Sequence, residues 1–254
     1  MSQQTKVGFL YPGFAAEDDY PRLGEMVEPS VDVKLIHTEF NQDAHTVEAL
    51  TEMGSIPRIL EGTKHLKGTG IQSVLWTSTS ASFTLGVDGV KEQIAALEEA
   101  LNVPASTTAM AFVRAAKTIG VKRVAIAATY PEDIALLFKK FLENYGIEVL
   151  QYSSQGIITA AEVGTLEKEE VLNLAKENDL PEADALFIPD TALHSAEWID
   201  DIEAVIKKPV LTANQVSFWE ALRLTGQFKP QKGLGQLFRQ EAPLEGGQTG
   251  DHQS

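Results

Sequence analysis

The stretches Leu75-Trp76-Thr77-Ser78-Thr79 and Phe187-Ile188-Pro189-Asp190-Thr191 occupy matching places in an internal duplication of the chain. Each stretch ends an apolar run that predicts a buried strand. Each is followed by a helical segment and then by a second apolar run after a proline. If the two halves face each other, Ser78 and Asp190 meet across one cleft, and this pairing is the first clue to a functional site.

Three pairs of positions at similar separations support the duplication. They are Pro12 with Pro131, Ser78 with Asp190, and Pro104 with Pro209, which lie 119, 112 and 105 positions apart. Both prolines of the first pair follow a tyrosine near the end of a predicted strand. The pattern indicates two copies of one lobe built from β-α-β units, and chance similarity between such units is the alternative.

Short apolar strands alternate with amphipathic helical segments along the chain, which predicts an α/β fold with mainly parallel strands. With the duplication, we expect two similar Rossmann-like lobes, each with a four-stranded sheet, related by a pseudo-twofold axis and with the active site at their interface. The predicted strands span residues 7–10, 33–37, 73–76, 124–127, 148–152, 185–188 and 210–212. The predicted helices span residues 47–66, 90–101, 109–119, 134–145, 168–176, 196–206 and 218–224.

The lobes are expected to divide the chain unevenly. Lobe one should comprise residues 1–115 together with 213–240, whose helix returns to it, and lobe two should comprise residues 116–212. The end of the chain, residues 241–254, is polar and rich in glycine, and we expect it to be disordered.

The composition limits the classes of partner. The 254 residues carry a formal net charge of −15 without a basic stripe, which argues against nucleic-acid binding. No apolar run approaches the ~20 residues that cross a bilayer, and the first six residues lack the apolar core of a signal peptide. A cytoplasmic protein without membrane partners is therefore expected, and the sequence leaves open whether it is a monomer or a homo-oligomer.

The residue types also limit the chemistry. The chain contains no cysteine, which removes disulfides, thiolate metal sites and thiol nucleophiles together. Its five histidines show no metal-binding spacing, so no metal site is expected. A glycine-rich nucleotide-binding motif is absent as well, and no cofactor is predicted.

A loop rich in hydroxyl groups follows the first of the two central strands. Residues 77–82 are Thr-Ser-Thr-Ser-Ala-Ser, with five hydroxyls in six positions. Such a loop is suited to bind a carboxylate or a developing oxyanion, and a turn that caps the next helix is the alternative. Tyr130 could supply another donor. Pro12 and Gly13 could contact the substrate, unless they belong to a plain surface loop.

Taken in order, the motifs resemble those of the aspartate/glutamate racemase superfamily, and within it the branch of arylmalonate decarboxylase and maleate cis-trans isomerase. The resemblance extends from Val7 to about Phe238, and its last two motifs favour the decarboxylase. The motifs are Gly8-Phe-Leu-Tyr-Pro12, Thr79-Ser80-Ala81-Ser82-Phe83 with Gly86, Gly120-Val-Lys-Arg-Val-Ala-Ile126 with Thr129-Tyr130, Phe187-Ile-Pro-Asp190, Lys208-Pro209-Val210, Phe218-Trp219-Glu220-Ala221 and Leu234-Gly-Gln-Leu-Phe238.

The resemblance implies a site with cysteine at the position of Ser78, of Asp190 or of both. Racemases of this superfamily use two thiols as opposed acid and base, maleate isomerase uses the first as a nucleophile, and the decarboxylase uses the second as a proton donor. This chain departs from the pattern at both positions. By the resemblance, a substrate carboxylate should still be bound by four groups, namely Thr79, Ser80, Tyr130 and the N–H of Thr191.

The two departures restrict the chemistry. A serine hydroxyl without a neighbouring base is a poor base or nucleophile, so Ser78 is expected to help binding. Burial beside a bound carboxylate would favour protonated Asp190, which could deliver a proton to a carbanion or enediolate; ionised, it could instead remove one. A cap on the following segment is the structural alternative for Asp190. His194, four residues later, could join the site if that loop turns.

The sequence therefore predicts an enzyme, a cofactor-independent decarboxylase (a carboxy-lyase) that acts on a small substituted malonate-like dicarboxylate through an enediolate. Catalysis is assigned to Asp190 and Ser78. An isomerase of the maleate type and a racemase-like catabolic enzyme, including the ectoine-utilisation type, are the alternatives among enzymes. A non-catalytic carboxylate-binding relic, in which loss of both thiols ended the chemistry, is the alternative from another class.

Overall fold

The computed structural model describes residues 4–154, 156–157 and 159–242. Within them the strands are β1 (Lys6–Pro12), β2 (Asp32–Thr38), β3 (Val74–Trp76), β4 (Ala105–Thr107), β5 (Arg123–Ala128), β6 (Glu148–Ser154), β7 (Ala185–Ile188) and β8 (Val210–Thr212). The helices are α1 (Asp19–Met26), α2 (Val47–Met53), α3 (Ile56–Thr63), α4 (Ser80–Phe83), α5 (Gly86–Leu101), α6 (Thr108–Thr118), α7 (Glu132–Asn144), α8 (Ala160–Val163), α9 (Lys168–Asn178), α10 (Ile199–Ile206), α11 (Ala213–Thr225) and α12 (Gly235–Phe238), with a 3₁₀ turn at Ala196–Trp198 before α10.

The strands form two four-stranded sheets with the same topology. The first sheet has the order β2-β1-β3-β4 and the second the order β6-β5-β7-β8. The strand pairs in both sheets are parallel, and helices connect consecutive strands, as parallel pairing requires. The predicted α/β fold with two Rossmann-like lobes is confirmed.

The register of the central strands confirms two of the separations found in the sequence. Trp76 at the end of β3 pairs with Thr107, and Ile188 at the end of β7 pairs with Thr212. Trp76 and Ile188 are 112 positions apart, and the two threonines are 105 positions apart. The loops that follow β3 and β7 therefore leave equivalent places in the two sheets.

The predicted match between Tyr11 and Tyr130 is wrong by two residues. The corresponding pairs on the central strands are Phe9 with Leu75 and Ile126 with Phe187, so β1 and β5 correspond at a separation of 117 positions. Tyr11 lies within β1, whereas Tyr130 lies beyond the end of β5. The two tyrosines consequently reach the site from different places.

The predicted strand ranges include every strand but β4, which follows Pro104 where the duplication places a strand, but whose residues Ala105–Thr107 are too weakly apolar to define its bounds. The segment predicted as one helix at 47–66 is instead α2 followed by α3. The break falls at Gly54, where a Cβ would lie only 1.9 Å from the carbonyl oxygen of Ala81, so only glycine lets α2 end against α4. The short helices α1, α4, α8 and α12 are absent from the prediction, since three of them have one turn and α1 contains Pro21.

Helix α11 is shared between the lobes. It contacts α6, β1, β3 and β4 of lobe one and also β8 of lobe two. The predicted domain boundaries at 115/116 and 212/213 stay a prediction. Of the tail predicted to be disordered, residues 243–254 lie outside the described residues.

Among the described residues, none of the helices combines the length and the apolar character that crossing a bilayer would demand.

A buried ion cluster fixes α11 against α6. Glu220 of α11 has no exposed surface and accepts hydrogen bonds from Arg114 of α6 and from Arg223, at 2.7 Å between Arg223 Nε and Glu220 Oε2. Breaking a buried ion pair from one side is costly, because it leaves an uncompensated charge without water.

We expect Glu220→Gln to lower the free energy of unfolding by about 3 kcal/mol, because both arginines lose their buried counter-charge while the side chain keeps its shape. Urea denaturation followed by circular dichroism measures the change. The matched control is Glu143→Gln, since Glu143 pairs with Lys139 on the surface of α7 and should cost less than about 1 kcal/mol. Equal losses in the two variants would show that the cluster does not hold α11 in place.

Candidate active site

A small cavity lies between the lobes, and its volume is ≈ 40 Å³, enough for a few water molecules. Lobe one contributes Tyr11, Pro12, Gly13, Phe14, Phe40, Asp43, Ala44, His45, Leu50, Met53, Ser78 and Ser80, and lobe two contributes Ala160, Asp190, Thr191 and Ala192. Most of these residues follow the carboxyl ends of β1, β2, β3 and β7. Ligands of open parallel sheets bind at this edge, so the fold places the cavity where a functional site is expected.

Asp190 is the buried carboxylate of the cavity wall, with a side chain that is only 4% exposed. Its Oδ2 accepts a hydrogen bond of 2.6 Å from Thr129 Oγ1, and its Oδ1 accepts one of 2.9 Å from the N–H of Ala192. The bond to Ala192 is the local cap that the sequence offered as the structural alternative. Asp190 is both a local cap and a residue of the cavity wall, because the capped carboxylate also lines the cavity.

His45 faces the same carboxylate. Its Nε2 lies 3.9 Å from Asp190 Oδ2, and its Nδ1 lies 3.3 Å from the carbonyl oxygen of Ile157. The ring is 7% exposed and packs edge-on against the ring of Tyr130, with 5.1 Å between centroids. The site therefore contains two titratable groups in contact distance rather than the single one predicted.

The hydroxyl-rich loop of lobe one forms the opposite wall. Ser78 Oγ accepts a hydrogen bond of 3.2 Å from the N–H of Ala81, so it caps the turn that becomes α4. Ser80 and Thr191 line the cavity, and their hydroxyls have no hydrogen-bond partner in the part of the chain that the structure describes. These two hydroxyls are available to a ligand.

Two buried tyrosines hold the Asp190 loop in place. Tyr11 donates to the carbonyl oxygen of Thr191 at 3.0 Å, and Tyr130 donates to that of Pro189 at 2.8 Å, so their bonds flank Asp190 on either side. Burial raises the pKa of both phenols well above the usual value, and the nearby charge of Asp190 adds to the effect. Both tyrosines therefore stay neutral and keep donating over the whole range of ordinary pH.

Six of the nine predicted site residues line the cavity, from both lobes. They are Pro12, Gly13, Ser78, Ser80, Asp190 and Thr191. Ser78 and Asp190, which the duplication pairs, thus border one cavity. Their predicted roles in binding and catalysis stay predictions.

Three predicted residues do not line the cavity. Tyr130 and Thr79 are buried behind its wall, and the hydroxyl of Tyr130 is directed to the carbonyl of Pro189. His194 lies outside, where its Nε2 contacts Asp18 Oδ1 at 2.8 Å. The loop after Asp190 turns towards the 13–19 loop of lobe one rather than into the cavity, so we leave His194 out of the proposed site.

Sequence reasoning missed His45 and Asp43. Apart from His194, the histidines were considered only as metal ligands, and their spacing argued against that role. Both residues lie in the long connection between β2 and α2, at the carboxyl edge of the sheet. Loops at that edge commonly carry functional residues, and this placement was the signal that could have found them.

The connection after β2 also binds lobe two. The carboxylate of Asp43 accepts hydrogen bonds from the N–H groups of Ala160 and Ala161, at 3.0 and 3.4 Å. With the contact between His45 and Ile157, these bonds close the connection over the cavity. Among the described residues, no group of three acidic or histidine side chains is placed to hold a metal ion.

We expect Tyr11→Phe to lower the free energy of unfolding by about 1–3 kcal/mol, because it leaves the buried Thr191 carbonyl and the N–H of Ala16 without their shared partner. Chemical denaturation measures the loss. The matched control is Tyr145→Phe, which removes a buried hydroxyl that has no partner among the described residues and should change stability by less than about 0.5 kcal/mol. A stable Tyr11→Phe protein would mean that this hydroxyl does not hold the loop.

The comparisons with known proteins fit this geometry. The chain is 25% identical over 186 residues to the arylmalonate decarboxylase of Bordetella bronchiseptica, covering 72% of this chain and 78% of that protein. It is 28% identical over 139 residues to the maleate isomerase of Nocardia farcinica, covering 54% of this chain and 55% of the isomerase.

Solved structures share the fold over almost their whole length. A mutant of arylmalonate decarboxylase in its liganded form matches with a TM-score of 0.81 at 22% identity, covering 93% of this chain and 99% of the other. The maleate cis-trans isomerase of Nocardia farcinica bound to TRIS matches with a TM-score of 0.82 at 22% identity, covering 92% and 98%. A family model described as arylmalonate decarboxylase matches residues 36–238. The chain therefore belongs to the arylmalonate decarboxylase family, within the branch of the racemase-like superfamily that also contains maleate isomerase.

Proposed function

We propose that the protein is a cofactor-independent carboxy-lyase that removes one carboxylate from a small substituted malonate and protonates the resulting enediolate. The observation that carries this proposal is the buried Asp190, which lines a small cavity opposite the free hydroxyl of Ser80 from the other lobe and beside the free hydroxyl of Thr191. One acid/base group beside one anion-binding wall is suited to chemistry that moves a single proton.

The binding wall supplies donors rather than fixed positive charge. Ser80 and Thr191 line the cavity, their hydroxyls have no partner in the described part of the chain, and a hydroxyl can donate to a carboxylate oxygen. As charge develops on the enediolate oxygens, the same donors bind it more strongly, which lowers the barrier to decarboxylation. Ser78 borders the wall and fixes its shape through the bond to Ala81.

The reaction balances with one solvent proton. The bond between the α-carbon and one carboxylate breaks, carbon dioxide leaves, and the electron pair stays on the α-carbon as the enediolate of the remaining carboxylate. Protonated Asp190 delivers its proton to that carbon and becomes a carboxylate. A proton from solvent then restores the acid, and the product is a monocarboxylate.

The organic substituent of the substrate would point to the mouth of the cavity. Phe14 and Phe40 line both the cavity and the adjoining surface depression, and Phe14 is 73% exposed while its ring stacks on His37 at 4.1 Å between centroids. An exposed aromatic side chain at a cavity mouth is suited to contact an apolar or aromatic group.

Isomerisation of the maleate type is the second candidate, because a maleate isomerase is among the relatives. By the family pattern, that reaction uses a thiol as nucleophile, and this chain has no cysteine. The serine at the equivalent place, Ser78, accepts a hydrogen bond from Ala81 and has no histidine or carboxylate bonded to it in the described residues. The missing thiol and the absence of a base at Ser78 in the described residues argue against the isomerase, so the lyase is favoured.

We expect the purified protein to consume a substituted malonate in D₂O and to release a monocarboxylate with one deuterium at the α-carbon. Asp190→Asn should lower the rate by about 10²–10⁴-fold, because the amide cannot deliver the proton. Proton NMR over a panel of malonates, maleate and aspartate follows substrate loss and deuterium incorporation together.

The control is Asp18→Asn, the same substitution at a carboxylate outside the cavity, which should keep the wild-type rate. An unchanged rate in Asp190→Asn would remove that residue from the mechanism. Conversion of maleate to fumarate would identify the isomerase instead. Thermal stabilisation by every acid of the panel without turnover would identify a carboxylate-binding relic.

A further inference from the structure

The proposed reaction leaves one titratable group of the cavity without a role. His45 is 7% exposed, lines the cavity and faces Asp190 Oδ2 at 3.9 Å. Among the described side chains that line the cavity, it alone can carry a positive charge, since neither lysine nor arginine is present there. A site for a dianion with a single possible cation makes the protonation of that group decisive.

A backbone carbonyl of lobe two determines which ring nitrogen of His45 always carries a hydrogen. His45 Nδ1 lies 3.3 Å from the carbonyl oxygen of Ile157, and a carbonyl can only accept, so Nδ1 carries a hydrogen. The neutral ring therefore presents a lone pair at Nε2, and the charged ring presents an N–H there. The proton that comes and goes is the one on the side of Asp190.

The ring has little freedom to turn away. The edge-on contact with Tyr130, at 5.1 Å between centroids, packs one side. Two residues earlier in the chain, Asp43 binds the N–H groups of Ala160 and Ala161 and anchors the segment to lobe two. His45 is thus held with Nε2 directed at Asp190.

The other titratable groups near His45 are either already hydrogen-bonded through both oxygens or neutral at ordinary pH. Asp43 uses both carboxylate oxygens for backbone N–H groups. The phenols of Tyr130 and Tyr11 remain neutral, because burial raises their pKa values well above the usual range. Asp190 is the group left to exchange a proton with His45.

We propose that His45 is a proton-relay residue, which acts through Asp190 and returns to it from Nε2 the proton that Asp190 gives to the enediolate. The assignment rests on the proposed lyase function. Asp190 touches the reacting carbon, and His45 positions and replenishes its proton. The gap of 3.9 Å is long for a hydrogen bond, as is common before substrate is bound, and a shift of about 1 Å would close it.

The cycle balances without any further reactant. Protonated Asp190 gives its proton to the α-carbon and becomes a carboxylate. The imidazolium of His45 then passes the Nε2 proton to Asp190 Oδ2 and becomes neutral, with Nδ1 still protonated. One proton from solvent restores the imidazolium at Nε2, so each turnover consumes one proton and leaves both residues unchanged.

Binding of a carboxylate should favour the protonated forms of both Asp190 and His45. A negative charge placed beside Asp190 and His45 favours the neutral acid on the first and the cation on the second. Binding of a dicarboxylate near neutral pH should therefore take up a proton from the buffer, whether or not the ligand reacts.

The first test is the pH dependence of turnover in His45→Gln. In the wild type the rate should persist to higher pH, because the imidazolium supplies Asp190. In His45→Gln solvent must protonate Asp190 directly, so the rate should match the wild type in acid and fall by about tenfold or more at neutral pH. Free imidazole added to His45→Ala should restore part of the neutral-pH rate.

The matched control is His194→Gln, the same substitution at a histidine that also contacts a carboxylate, Asp18, but outside the cavity. It should leave the pH profile unchanged. A profile of His45→Gln that is lowered by the same factor at every pH, without rescue by imidazole, would show a structural role and overturn the relay.

The second test does not depend on turnover. Calorimetric titration with malonate, in phosphate and in Tris buffer, should show that the wild type takes up about one proton more than His45→Gln. If protons are taken up but no acid of the panel is turned over, the lyase proposal is refuted, whereas the proton exchange between His45 and Asp190 is supported. Suppose instead that turnover depends on Asp190, but the wild type takes up no more protons than His45→Gln and the two pH profiles are parallel. This result would refute the relay and leave the lyase proposal standing. Absence of both binding and turnover would count against both proposals.

Discussion

The site depends on how one buried carboxylate is held. Asp190 lies between two backbone carbonyls, those of Pro189 and Thr191, that accept hydrogen bonds from the buried phenols of Tyr130 and Tyr11. A loop carbonyl without a partner in this interior would cost as much as a lost hydrogen bond. The phenols satisfy both carbonyls, one from each lobe, and they fix the carboxylate between them. The cavity, its donors and the approach of His45 all follow from that fixed position.

The two lobes contribute different chemistry although they share one topology. Lobe two carries the buried carboxylate, and lobe one carries the hydroxyl-rich loop and the histidine that faces the carboxylate across the interface. A symmetric fold thus produces an asymmetric site, because the equivalent loops after β3 and β7 carry a serine and an aspartate. The proposed relay adds a further asymmetry, since its histidine comes from the connection after β2 and has no matching histidine in the segment after β6.

Within the arylmalonate decarboxylase family, this arrangement differs from the thiol chemistry that the resemblance implies. A thiol can be a proton donor by itself near neutral pH, whereas a carboxyl group needs help to hold a proton there. Burial and a bound anion both oppose ionisation of a carboxyl group, and Asp190 is buried in the cavity wall. In the proposed relay His45 has a different task, which is to return to Asp190 the proton that the carboxyl group has given up.

The sequence by itself determined the fold class, the duplication, seven of the strands and the places of Ser78 and Asp190, because apolar periodicity and proline positions are local signals. It could not supply β4, whose three residues are buried only by their neighbours, or the break between α2 and α3, which a contact with Ala81 imposes. The tertiary structure alone decided that Tyr130 braces a carbonyl, that His194 turns to Asp18, and that His45 meets Asp190. These outcomes join residues that are 59, 176 and 145 positions apart, and only the packing of the two lobes brings such residues together.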